Sequence, residues 1–240
     1  MRRWLDAPIA ALLAAAALLA GAMTLPAAAA RDAAATARPL SYLALGDSYT
    51  IGEGVEPAQR WPEQLVRALR DDGIAVAPPR IIATTGWTTD ELDAAMDAAE
   101  PLGDWDFVSV LIGVNNQYRG RDVDEYASQF DALLQRAIRL AGARADRVLV
   151  LSIPDWGVTA FGARDARGPV RIGAEIDAYN AAARAICERR GVAYVDIAPV
   201  SRTHGADAAM LVDDGLHPSA AMYAEWTRLA RPTARALLAK

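Results

Sequence analysis

The 240-residue chain is 53% hydrophobic and 23% charged, which is enough apolar side chain for a folded core and excludes a disordered chain. Lys and Arg number 25 against 30 Asp and Glu, a net charge of -5 that argues against a surface built to follow phosphates and leaves out nucleic acid as a partner. The single cysteine, Cys187, excludes an internal disulfide, and with only His204 and His217 beside it no structural metal site is expected.

Arg2 and Arg3 open the chain, residues 7–23 carry no polar side chain, and residues 28–30 offer the small-x-small pattern of a signal-peptidase site. Residues 1–30 are therefore expected to be a signal peptide cleaved after Ala30, leaving a secreted or periplasmic product with no stable membrane span. The Ala-rich stretch 31–39 reads as a flexible leader without chemistry, and 40–240 as one domain.

Within that domain, short apolar runs at 42–45, 80–84, 107–112, 148–153 and 193–197 read as strands. A helix is expected at 61–70, where Leu65, Val66 and Leu69 share a face, and Thr88-x-x-Glu91 is a capping box opening a second helix through 99. Asp122-x-x-Glu125 opens a third through 140, with Tyr126, Phe130, Leu133, Leu134 and Ile138 on one stripe and Gly142 as its stop. Helices at 172–190 and 219–238 complete the chain, Gly191 ending the first and Pro232 expected to bend or divide the second. Strand and helix alternate throughout, which implies a parallel sheet covered on both faces, with ligands taken outside the carboxyl ends of the strands.

The chemistry-bearing residues fall just after strands. Gly46-Asp47-Ser48-Tyr49 follows the first and makes Ser48 a candidate nucleophile, although a serine there also fits a helix N-cap. A serine needs a base, usually a histidine oriented by a carboxylate, and Asp214-Gly215-Leu216-His217 supplies both within one loop turn. Asp213, Asp155 and Asp196 remain alternatives for the carboxylate. Donors for an oxyanion are available from the Gly86 N–H after the second strand and the Asn115 amide after the third, each of which also fits a plain turn. Trp61, Trp87, Tyr118 and Trp156 lie near these loops and could wall an acyl pocket or stack on a sugar ring, or belong to the core; Arg119 and Arg121 are left without a role.

Taken together, Gly46-Asp47-Ser48, Gly86, Gly113-Val114-Asn115 and Asp214-x-x-His217 resemble, in kind and in order, the four blocks of the SGNH or GDSL-type hydrolase superfamily. The resemblance spans nearly all of the chain after the leader, with Tyr49 where the family has Leu and Asn116 where its third block commonly ends in Asp. It implies a flavodoxin-like three-layer α/β/α sandwich around a five-stranded parallel sheet and no cofactor. It also implies a catalytic triad of Ser48, Asp214 and His217, and an oxyanion hole of Ser48, Gly86 and Asn115. By their position after motif-bearing loops, Trp87, Tyr118 and Trp156 are the candidate substrate-binding side chains, with core packing as the alternative. The implied substrate is a small ester, an aryl ester, a lipid or lysophospholipid, or an acetylated glycan. Two other readings stay open: an O-acyltransferase acting on envelope polysaccharide, and a non-catalytic glycan- or lipid-binding protein. An α/β-hydrolase is excluded because the chain has no G-x-S-x-G elbow.

Overall fold

The computed structural model describes residues 38–239; the expected signal peptide and most of the expected leader lie outside them. Five strands form one sheet: β1 (Tyr42–Gly46), β2 (Arg80–Ala83), β3 (Phe107–Leu111), β4 (Val148–Leu151) and β5 (Ala193–Val195). The order is β2-β1-β3-β4-β5 and every pairing is parallel. Strands covered on both faces need apolar side chains at consecutive positions, and β1, β3 and β4 accordingly have every residue buried. β1 runs one residue past its apolar run, to Gly46, whereas β2 to β5 stop one or two residues before theirs, because residues such as Ile112 and Ile153 continue into the core after the ladder has ended.

Among the described residues eight α-helices accompany the sheet. They are α1 (Ser48–Ile51), α2 (Trp61–Asp71), α3 (Thr89–Ala98), α4 (Val114–Tyr118), α5 (Val123–Leu140), α6 (Gly168–Arg190), α7 (Ala198–His204) and α8 (Ala220–Leu238). One group pairs α2 with α8, burying Trp61, Leu65 and Leu69 with Tyr223 and Trp226. The other packs α5 against α3 and α6, where the Tyr126 ring stacks on Tyr179 at 4.6 Å. The helix expected at 172 begins at Gly168, because Pro169 in the first turn costs no hydrogen bond there and presets the backbone. Pro232 does not divide α8: the helix runs unbroken from Ala220 to Leu238, its proline exposed while Trp226, Ala230, Ala234 and Leu237 stay buried on either side of it. Burial of that face outweighs the one backbone hydrogen bond a proline forfeits.

The expected leader reaches the described residues at Arg38 and Pro39. There Arg38 grips Asp106 through both guanidinium ends, at 2.6 and 3.2 Å, and the same carboxylate accepts from the Ser41 N–H at 2.8 Å and the Ser41 hydroxyl at 2.9 Å. Partial burial works against the Asp106 charge, but these bonds from Arg38 and Ser41 win and hold its carboxyl down to about 2. A carboxylate lowered by folding stabilises the fold above its unfolded pKa of about 3.9, and that contribution is lost as pH falls through about 2. Asp106→Asn is thus expected to cost about 1–2 kcal/mol at pH 7 and nothing below pH of about 2, read as urea midpoints at the two pH values. Equal losses at both would reject the ionic account.

Candidate active site

Parallel sheets of this order reverse direction between β1 and β3, and the crevice outside their carboxyl ends is where such folds place ligands. A cavity of about 200 Å³ opens there, and Ser48, Gly86, Asn115 and His217 all line it. They arrive on four separate segments: the start of α1 just after β1, the loop after β2, the start of α4, and the loop before α8.

Ser48 is the first residue of α1. Gly46 ends β1 so close to its neighbours that a Cβ would lie 2.4 Å from the Leu111 carbonyl, so only glycine permits the turn. Asp47 caps α1 by accepting from the Tyr49 N–H at 3.0 Å. Burial pushes the Asp47 carboxyl up to about 7 despite that bond, and its second oxygen has no protein partner.

Gly86 occupies the third position of a turn closed by the Trp87 N–H on the Thr84 carbonyl at 3.3 Å, and its φ of 90° is the left-handed value that a type II turn demands there. Residues of α4 and just beyond it hold this turn in place. Asn115 Nδ2 donates to the Trp87 carbonyl at 2.9 Å, Arg119 donates to the Gly86 carbonyl at 2.7 Å, and Arg119 also meets Glu91 at 3.0 Å. Arg119 therefore has a structural partner in the turn, while Arg121 pairs with Asp90 at 2.6 Å. Among the described residues, the N–H groups of Ser48 and Gly86 donate to nothing in the protein. Asn115 keeps its second amide hydrogen free, because an amide nitrogen carries two.

The loop before α8 is closed by the Val212 N–H on the His217 carbonyl at 2.9 Å and by an isolated bridge between Leu211 and Pro218. Within it, Asp214 Oδ1 accepts the Leu216 and His217 N–H groups at 2.8 and 2.9 Å, which leaves Oδ2 at 2.6 Å from His217 Nδ1. Burial opposes the charge on Asp214, but the bonds from the His217 ring and the two N–H groups hold its carboxyl below the ordinary value. With Nδ1 facing the carboxylate, Nε2 is the ring nitrogen left for the cavity. Two of the alternative carboxylates are engaged elsewhere: Asp155 with Arg202 at 2.9 Å, and Asp196 with Arg184 and Ser152, each at 2.9 Å. His204 closes α7 and does not line the cavity.

Of the aromatic side chains singled out above, Tyr118 and Trp156 line the cavity, Trp61 is fully buried core, and the Trp87 ring packs against the core outside the cavity. Trp87 contributes its carbonyl instead. Asn116 does not face the cavity either. It is wholly buried and clasps Thr89, accepting its N–H at 3.1 Å and donating to its hydroxyl at 2.7 Å, so it stitches α3 to α4. Tyr49, at the family's leucine position, sets its ring edge-on to His217 at 5.9 Å and to Trp226 at 5.8 Å. Val114, Phe161 and Leu216 add to the apolar wall; Val114 and Leu216 lie inside two of the motifs, whereas no motif announced Phe161. Among the described residues no group of three His, Cys, Asp or Glu side chains could hold a metal, and no helix is long and apolar enough to cross a membrane.

The fold is shared with solved hydrolases. The structure of TesA is similar with a TM-score of 0.65 and 23% identity, covering 82% of this chain and 99% of that one. A lipase/acylhydrolase from Enterococcus faecalis gives 0.63 and 20%, over 83% and 97% of the two chains. The acetylxylan esterase Axe2 from Geobacillus stearothermophilus gives 0.60 and 20%, over 82% and 94%. No curated protein matches the sequence. The model of the GDSL-like lipase/acylhydrolase family matches residues 44–225, well over half of the chain. The chain therefore belongs to the GDSL-like lipase/acylhydrolase family and is a hydrolase of ester bonds.

Proposed function

We propose that the protein cleaves carboxylic esters through an acyl-enzyme on Ser48, with His217 as its base and Asp214 as the group that orients His217. The supporting observation is the meeting of two kinds of group at one cavity: a hydroxyl with a carboxylate-held imidazole, and two unengaged N–H groups with a half-engaged amide. His217 Nε2 takes the proton from Ser48 Oγ as that oxygen bonds to the ester carbon, and the carbonyl oxygen becomes an oxyanion facing the Ser48 and Gly86 N–H groups and Asn115 Nδ2. Collapse breaks the bond to the alcohol oxygen, which leaves with the proton from His217. Water then attacks the acyl carbon, gives its proton to His217, and frees the carboxylic acid while Ser48 regains its own proton. The His217 ring bonds Asp214 and not Ser48, and a nucleophile–base contact of this kind often tightens only with substrate in place.

The N-terminal pattern of residues 1–30 supports an exported enzyme that meets its ester outside the cytoplasm. The experiment that tests the chemistry is covalent trapping. A p-nitrophenyl alkylphosphonate is expected to add one phosphonyl group per chain at Ser48, release one p-nitrophenol, and abolish ester hydrolysis, with peptide mass spectrometry locating the adduct. Labelling elsewhere, or full activity after labelling, rejects Ser48 as nucleophile.

A further inference from the structure

Ligand pockets for drug-sized molecules begin at about 300 Å³, and an apolar cavity of about 150 Å³ is filled by one benzene. At about 200 Å³, with the reacting ester group inside it, the cavity at Ser48 has room for roughly one ring. A sixteen-carbon chain, at over twice the carbon count of benzene, would have to leave the open mouth of the cavity for most of its length.

The walls match that size with aromatic faces. Tyr118, Trp156 and Phe161 all line the cavity and surround one another, with ring centroids 5.4, 6.0 and 6.4 Å apart and planes inclined at 68°, 56° and 44°. Such separations and tilts are those at which rings attract through their edges and faces, so a further ring entering the group finds the same geometry on offer. The wall is also held in place. Trp156 is buried and donates its indole N–H to Gln117 at 2.8 Å. Arg167, which does not line the cavity, lies over the Tyr118 and Trp156 rings at 5.4 and 5.0 Å and is itself fixed by Asp165 through two nitrogens at 2.9 Å. The Phe161 N–H bonds the Gly215 carbonyl at 3.0 Å, which ties this wall to the loop carrying Asp214 and His217. A wall pre-set in this way selects by shape at little ordering cost.

We propose that the cavity is selective for esters carrying one aromatic ring close to the reacting carbonyl, recognised by Tyr118, Trp156 and Phe161, over long aliphatic esters. This rests on the reading of Ser48 as the acyl acceptor. Hydrolysis should be followed by pH-stat on two pairs matched in size: ethyl phenylacetate with ethyl cyclohexylacetate, and benzyl acetate with cyclohexylmethyl acetate. Ethyl acetate and ethyl palmitate serve as short and long references. An aromatic member favoured by about two- to tenfold in kcat/KM is expected in at least one pair, and the pair that shows it tells whether the ring is on the acyl or the alcohol side. Ethyl palmitate is expected to be at least tenfold poorer, and Phe161→Leu should bring the favoured ratio towards one. Equal rates within both pairs, a maximum at ethyl acetate, or rates that rise to palmitate would overturn the proposal. Calorimetric binding of phenylacetate and of benzyl alcohol, each against its cyclohexyl analogue, separates the two readings. Aromatic preference without turnover of any ester sinks the esterase reading and keeps the cavity assignment, whereas Ser48-dependent turnover without aromatic preference does the reverse.

Discussion

Asp214→Asn is expected to lower kcat by about 10⁴-fold with little change in KM or melting temperature. The reason lies in how the carboxylate is held. Its Oδ1 accepts two backbone N–H groups, from Leu216 and His217, and an amide at this position can keep both only by placing its own oxygen there. Its NH₂ then occupies the place of Oδ2, 2.6 Å from His217 Nδ1, and donates to that nitrogen. The imidazole is forced into the tautomer with its proton on Nε2, so the nitrogen that faces the cavity can no longer take a proton from Ser48. Because the loop keeps its backbone bonds, thermal unfolding followed by circular dichroism should move little while turnover collapses. A loss of tenfold or less would reject Asp214 as the orienting carboxylate.

The fold was legible because a buried parallel sheet writes itself as unbroken apolar runs, and each run in this chain is followed by a turn residue and a periodic helix. The capping box at Thr88 and Glu91 set the start of α3, the Glu91 carboxylate accepting the Thr88 N–H at 2.9 Å. Short helices were harder to see: α1, α4 and α7 have four, five and seven residues, too few for a period of 3.6 to show. At the site, motif order marked the residues that converge on the cavity, since a sheet edge gathers whatever follows its strands. Spacing could not tell which side chains look inward. Trp87 and Asn116 each sit next to a residue that lines the cavity and face away from it, whereas Phe161 comes from a loop of irregular turns with no period to read. Arg119 carried no signal either, because its partners, the Gly86 carbonyl and Glu91, lie 33 and 28 residues away and leave no local pattern.

The adjacent residues Asn115 and Asn116 offer the sharpest separation of chemistry from scaffold. Asn115→Ala removes one of three donors around the proposed oxyanion, and a loss of about 10²–10³ in kcat is expected, equivalent to about 2.7–4 kcal/mol of transition-state stabilisation. Its ground-state cost is small, since the Trp87 carbonyl that it releases sits in a turn also held by Arg119 on the neighbouring Gly86 carbonyl. Asn116→Ala should do the opposite. It leaves the buried Thr89 N–H without a partner and opens a void between α3 and α4, at a cost of about 1–3 kcal/mol in stability. Its kcat should fall far less, because no atom of Asn116 lines the cavity. The two variants should therefore part along different axes, one in turnover and the other in urea midpoint. If Asn115→Ala instead loses stability and keeps its kcat, the amide is a turn clasp like its neighbour, and the oxyanion must rest on the Ser48 and Gly86 N–H groups alone.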